Sequence, residues 1–201
     1  MTTDPGGLVR ASVRIFFNKC QEVKSMKTLF PAIPCLQSDR LLLKEITEEY
    51  ADDLGKMTEN PSVYRYLPTF LFEKKYKDIH KVIQELYREC LEESLILGIF
   101  MDDQFCGLIE MYGYRAPIHK ISIGYRLSEN SWGKGIATEA LGTVVDYLIK
   151  EKKIEIITAS TMPENEVSAG VLRMNGFELV VSAVDEDWGY EQPTPADKWI
   201  R

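Results

Sequence analysis

Gly133 and Gly135 flank a lysine, Lys134, immediately before a long apolar-periodic stretch. The N–H groups of a helix's first turn have no intrahelical acceptor, and the macrodipole adds partial positive charge there. Glycine carries no side chain to hold a ligand away from those groups. The residue types and their spacing therefore predict a seat for a phosphate. Metal chemistry has little to work with. Cys20, Cys35, Cys90 and Cys106 form no C-x-x-C pair and the histidines are His80 and His119 alone, so no metal site is expected.

A phosphate seat needs elements to hold it. "KISIGYRL" (120–127) leads in as a strand, and Ala137, Ala140, Leu141, Val144, Val145, Leu148 and Ile149 form the apolar face of the following helix. "IEIITAS" (154–160) comes next as a strand, and a helix crossover makes it parallel to 120–127. A second helix covers 165–174 and stops at Asn175-Gly176. "FELVVSAV" (177–184) is a last strand, and the polar tail after it carries no clear assignment.

Upstream, "DRLLLKEI" (39–46) reads as a strand, and Thr47 as the N-cap of a helix ending at Pro61. Residues 73–93 carry a helical stripe that includes Tyr76, Ile79, Ile83 and Leu86. "LILGIFM" (95–101), "FCGLIEMYGY" (105–114) and 120–127 are joined by links too short for anything but antiparallel hairpins. The sum is a mixed α/β domain, its central sheet mostly antiparallel and flanked by helices.

The chain has 201 residues and a net charge of −7, which suits one domain and argues against general nucleic-acid or membrane-surface binding. It contains no apolar run of membrane-spanning length. Free thiols fit a reduced cytoplasmic location. Residues 1–27 differ in character from the rest and have three readings: an upstream start or extension, a short extra helix, or a partner-binding arm.

Two familiar phosphate motifs fail here. A P-loop requires G-x-x-x-x-G-K-[ST], but Ser128 occupies the first glycine position and Gly135 stands where the magnesium-binding hydroxyl belongs. A dinucleotide fingerprint requires a third glycine where Thr138 stands, and entry from a parallel βαβ unit rather than a hairpin.

"SDRLLLKEIT", "NPSVYRYLP" (60–68), "IGYRLSENSWGKGIATEAL" (123–141) and "NEVSAGVLRMNGFE" (165–178) occur in this order. With them, residues 38–183 resemble the GNAT superfamily of acetyl-CoA-dependent N-acyltransferases, in the branch holding the ribosomal-protein N-terminal acetyltransferases. The resemblance implies the acyl-CoA N-acyltransferase (GNAT) fold over 28–201 and acetyl-CoA as cosubstrate. It implies that backbone amides of Trp132, Gly133, Lys134, Gly135, Ile136, Ala137 and Thr138 cradle the pyrophosphate, with Trp132 standing where the family usually has Gln or Arg. A bare strand-to-helix turn is the other reading of the two glycines.

Acetyl transfer to an amine requires a neutral amine, an aligned thioester, a stabilised carbonyl oxygen and a proton for the departing thiolate. In the family two parallel strands splay apart and free backbone groups beside the thioester, and this points to Leu127 as a backbone contact. The resemblance puts Asn165 on the CoA arm and Ser168 near the sulfur as proton donor. A plain structural reading makes Asn165 an N-cap, which is compatible with its place on the CoA arm, and Ser168 a first-turn residue, which competes with the proton-donor role.

The branch often carries an acid just before "IGY", where this chain has Ser122. Glu110 is the substitute, because it interrupts an apolar run and alternation puts it on one face with Leu108 and Tyr112. The alternatives are a solvent-facing Glu110, a base acting through water, or none. His119 adjoins a turn and reads as a surface residue, and Glu139 as structural. The expected acceptor is a primary amine of a small molecule or a protein N-terminus, with no nucleic-acid or membrane partner, the chain being a monomer or homodimer. A non-catalytic acyl-CoA binder is the second functional class.

Overall fold

The computed structural model describes residues 29–69, 71, 73 and 76–201. The arm 1–27 lies outside the described residues. A two-residue strand β1 (Leu36–Gln37) turns into β2 (Leu41–Lys44), and a 3₁₀ turn leads into helix α1 (Ala51–Glu59). The Thr47 hydroxyl binds Glu49 Oε1 at 2.7 Å and caps no backbone N–H. Thr47 thus holds the N-cap position of the 3₁₀ turn, with Glu48 and Glu49 in its first turn, but without the side-chain bond of a cap.

The next helix is shorter than its apolar stripe suggested. It runs through Ile79–Lys81, a π-helical stretch Val82–Leu86, and Tyr87–Cys90, together α2. The Asp78 side chain accepts the N–H of His80 at 3.0 Å and so sets the start.

The meander follows as β3 (Ser94–Met101), β4 (Gln104–Arg115) and β5 (Lys120–Leu127). Helix α3 (Ile136–Lys150) leads to β6 (Ile156–Thr161), then α4 (Glu166–Met174), β7 (Glu178–Glu186) and β8 (Thr194–Ile200). The eight strands form one sheet in the order β1-β2-β3-β4-β5-β6-β8-β7. β5 with β6 is the parallel pair, as a helix crossover requires, and the other pairs are antiparallel. The unassigned tail thus supplies a strand that inserts between β6 and β7. It is held by Trp199, which is 1% exposed and donates its indole N–H to Thr161 Oγ1 at 2.9 Å.

The sheet separates two apolar cores. Leu141, Val144 and Leu148 of α3 pack with Leu172 of α4 against Ile121, Ile123 and Ile157. On the opposite face, Leu54 of α1 and Val82 and Leu86 of α2 cover Ile96, Phe100 and Leu108. A strand buried on both faces carries no alternation, and so β3 reads as the unbroken apolar run LILGIF.

Candidate active site

β5 and β6 share only three rungs, Lys120↔Ile156, Ile121↔Ile157 and Ser122↔Thr158. The last is clasped by the Ser122 and Thr158 hydroxyls at 2.9 Å. Beyond it β6 parts from β5 and keeps β8 on its other edge, from Thr158 opposite Ile200 to Thr161 opposite Asp197. From Ile123 to Leu127 the β5 edge facing β6 therefore has no strand partner among the described residues. A cleft of about 1250 Å³ opens at this fork, lined by Gly124, Leu127, Gly135, Ser160, Asn165 and Ser168 among others.

The glycine loop forms one wall. Gly133 (φ 71°) and Gly135 (φ 76°) are left-handed, a conformation that costs an L-residue roughly 1–2 kcal/mol. Gly135 occupies the N-cap position of α3. Among the described residues, the N–H groups from Gly133 to Thr138 meet no backbone acceptor. Trp132 differs from the rest of the loop. Its N–H is taken by Glu129 O at 3.1 Å, and its indole N–H donates to Leu127 O at 2.9 Å. Trp132 thus braces the end of β5, and the Leu127 carbonyl is engaged within the chain.

Arg40 locks the loop from outside. Its Nε and backbone N–H donate to Glu139 at 2.7 and 2.9 Å, and its Nη1 donates to Lys134 O at 3.2 Å. Ser38 adds a 2.7 Å hydrogen bond to Glu139. Partial burial opposes charge on Glu139, but these donors and the Arg40 cation hold its carboxyl below the usual range. Glu139 is structural, as its place in the helix suggested. The guanidinium also lies 3.4 Å from where a Gly135 Cβ would stand, which adds a cation beside Lys134 at the loop.

Asn165 Oδ1 accepts the Ser168 N–H at 3.2 Å, so Asn165 is the N-cap of α4. The Ser168 hydroxyl lies 2.9 Å from the hydroxyl of Tyr125 on β5. Burial pushes the Tyr125 phenol up to about 12, with the Ser168 hydrogen bond pulling back slightly. The two hydroxyls therefore meet in protonated form at the fork. A strand residue and a helix residue 43 positions apart make this pair.

Glu110 and Tyr112 line the same cleft, while Leu108, on the same face of β4, is buried under α1 and α2. Glu110 pairs across the sheet with Gly124 and is 18% exposed. Burial raises its carboxyl above the usual carboxylate range, and Arg126 opposes that rise while Glu73 adds to it. Arg126, on β5, contacts Glu73 and stands 3.9 Å from Glu110. His119 is exposed in a left-handed turn (φ 46°), its Nδ1 at 3.2 Å from Lys153 O, and is not among the cleft's lining residues.

Arg40, Tyr125, Arg126 and Glu73 were not legible as site residues. A periodic pattern assigns faces, but their partners come from elements tens of positions distant. An arginine in the strand "ISIGYRL" was the one available sign, since a charge on a buried strand needs a partner. Among the described residues no metal-ligating cluster occurs, and no helix is long and apolar enough to cross a membrane.

Comparison with known proteins gives one consistent family. The pattern of the family described as an acetyltransferase (GNAT) domain matches residues 40–178. "Probable N-acetyltransferase YjcK" of Bacillus subtilis is 35% identical over 140 residues, covering 66% of this chain and 76% of that protein. The uS5-alanine N-acetyltransferase of Escherichia coli is 34% identical over 64 residues, 32% of this chain and 33% of that one. In fold, the chain resembles Mycobacterium smegmatis RimJ in complex with CoA-disulfide. That likeness has a TM-score of 0.73 at 19% identity and covers 86% of this chain and 88% of that one.

Proposed function

The chain belongs to the GNAT acetyltransferase family and is an N-acetyltransferase, and we propose that it moves the acetyl group of acetyl-CoA to a primary amine of a small molecule or a protein N-terminus. The observation that carries this reading is the fork. Loop amides without a backbone acceptor among the described residues and the carboxylate of Glu110 border a single cleft.

The residues present fit acetyl-CoA, which when bound supplies an activated thioester carbonyl. Amides from Gly133 to Thr138, with Lys134 and Arg40 beside them, would hold the pyrophosphate by N–H donation and charge. The freed edge of β5 near Leu127 would align the pantetheine arm, with Asn165 fixing the start of α4 alongside it. Glu110 takes the proton that the acceptor ammonium must lose before nitrogen can attack. Ser168, held by the Tyr125 hydroxyl, gives the sulfur the proton it must gain as the C–S bond breaks and the C–N bond forms. The nitrogen gives up two protons in all, one to Glu110 before attack and one as the amide forms; one proton ends on the thiol and the other passes to solvent, so atoms and charges balance.

Acceptors named for relatives are the uS5 alanine in one case and spermidine in another. Both are primary amines, which supports the class without choosing within it. The test is thiol release from acetyl-CoA in the presence of a panel of small amines and N-terminal peptides. Amine-dependent release with an acetylated product is the expected result. Binding of acetyl-CoA with no release for any amine would reduce the chain to an acyl-CoA binder, a class to which the serine at Ser122 already points.

A further inference from the structure

Beneath the acceptor end of the cleft, one cation serves two carboxylates. The Arg126 guanidinium, 5% exposed, has Nη2 against Oε1 of Glu73, which is 1% exposed. Its Nη1 is 3.9 Å from Oε2 of Glu110. Tyr87 also donates to Glu73 Oε1 at 2.9 Å. Glu73 Oε2 and Arg126 Nε are buried without a hydrogen-bond partner among the described residues.

A buried ion pair is hard to disturb, because separating it leaves an uncompensated charge in low dielectric. Glu73 therefore anchors the guanidinium through Nη2. Glu110, at the limit of ion-pair distance and lacking a direct hydrogen bond to Arg126, receives only part of that cation's field.

We propose that Glu73 and Arg126 are positioning residues that set the proton affinity of Glu110, with Glu73 drawing the guanidinium away so that Glu110 remains able to take a proton. The proposal rests on Glu110 as the base. Without Glu73, Arg126 would be released to Glu110 and hold it as an inert carboxylate. Without Arg126, two buried acids would face each other, and Glu110 would keep a proton at neutral pH.

The other groups around Glu110 leave this balance in place. The Ser94 hydroxyl from β3 donates to it and favours charge. Tyr112 beside it on β4, Tyr64 before α2, and Tyr87 on α2 are raised by burial and neutral. Glu186, from β7, acts on Tyr112 and is paired with Lys198 at 2.6 Å. Arg126 stays charged, since Glu73 and its other neighbours more than offset its burial.

The test requires no knowledge of the acceptor. Glutamate carboxyls are labelled with carbon-13 in the full chain, the Glu110 resonance is assigned by its loss in Glu110→Gln, and its titration is followed by NMR. Glu73→Gln is expected to lower the Glu110 midpoint, and Arg126→Gln to raise it, each by about one pH unit or more. Opposite directions are the signature, since a merely structural role would shift both variants alike or neither. A Glu73→Gln midpoint that stays at the parent value or rises overturns the proposal. If Arg126→Gln does not fold, the Glu73→Gln arm decides alone, with Glu73→Asp expected to return the midpoint toward the parent.

The kinetic arm separates this proposal from the reading beneath it. With an amine that turns over, the acid limb of kcat should move in the same two directions, about tenfold in rate per pH unit on the limb. Midpoints that move as expected while Glu110→Gln keeps the parent rate profile would preserve the tuning and remove Glu110 as base.

Discussion

Ser168 and Glu110 divide the proton traffic of the proposed transfer, and each can be tested at the level of one functional group. Ser168→Ala should lower kcat by about 10²–10⁴-fold with little change in acetyl-CoA affinity, because the hydroxyl would act only as the thiolate departs. Tyr125→Phe should give a smaller loss, since the proposal gives Tyr125 only the part of orienting Ser168 from 2.9 Å. Steady-state and single-turnover rates check both, and a Ser168→Ala loss below about tenfold would leave Ser168 only its place in the first turn of α4.

Glu110 also makes a prediction about stability. Its carboxyl is raised in the folded chain, so folded protein binds the proton more tightly than unfolded chain does. The stability it contributes is complete below the unfolded value and is lost as pH rises through the folded one. Glu110→Gln, which never charges, should therefore gain on the parent in urea unfolding as pH goes from about 4 to neutrality. Equal pH dependence in the two proteins would mean that the carboxyl is not held in its buried setting.

At the scale of elements, the site is a junction between a loop, a frayed strand pair and two helix starts. Gly135→Val should cost roughly 1–2 kcal/mol through the left-handed φ, and should abolish CoA binding by reshaping the start of α3. A folded Gly135→Val protein that binds CoA normally would contradict the cradle, and calorimetric titration reads this directly. Arg40→Ala should weaken CoA binding while leaving the fold intact. It removes both the tie from the β1–β2 turn to Lys134 O and a cation at the loop, whereas an exposed ion pair contributes at most about 1 kcal/mol to stability. Asn165→Ala should cost about 1 kcal/mol of unfolding free energy through the lost N-cap.

For the whole molecule, both ends of the cleft belong to one sheet whose two faces carry separate cores. A ligand that spans the fork touches β5, α3 and α4 together, and it binds the folded chain alone. CoA and acetyl-CoA should both raise the melting midpoint in proportion to the logarithm of their concentration, about 2.7 kcal/mol at a hundredfold excess over Kd. No shift for either species in a folded sample would remove the cosubstrate assignment.

Strong local patterns determined most of the architecture in advance. Apolar periodicity marks α3, the Asn175-Gly176 stop marks the end of α4, short links require the antiparallel meander, and a helix crossover sets β6 parallel to β5, because each depends on neighbours in sequence. The glycine pair marked the left-handed turn before α3 for the same reason, since such a turn is a local demand. Residues 194–200 were missed as a strand because their apolar content is little more than Ala196, Trp199 and Ile200, and only insertion between β6 and β7 buries them. The stripe 73–93 overstates the helix, since Glu73 serves as a buried ion partner before the helix begins at Ile79. What the tertiary structure alone decided are the meetings between distant positions: Tyr125 with Ser168, Arg40 with Glu139, and Arg126 between Glu73 and Glu110. Ion pairs and hydroxyl contacts have no period, so no sequence pattern records which residues will be brought within reach.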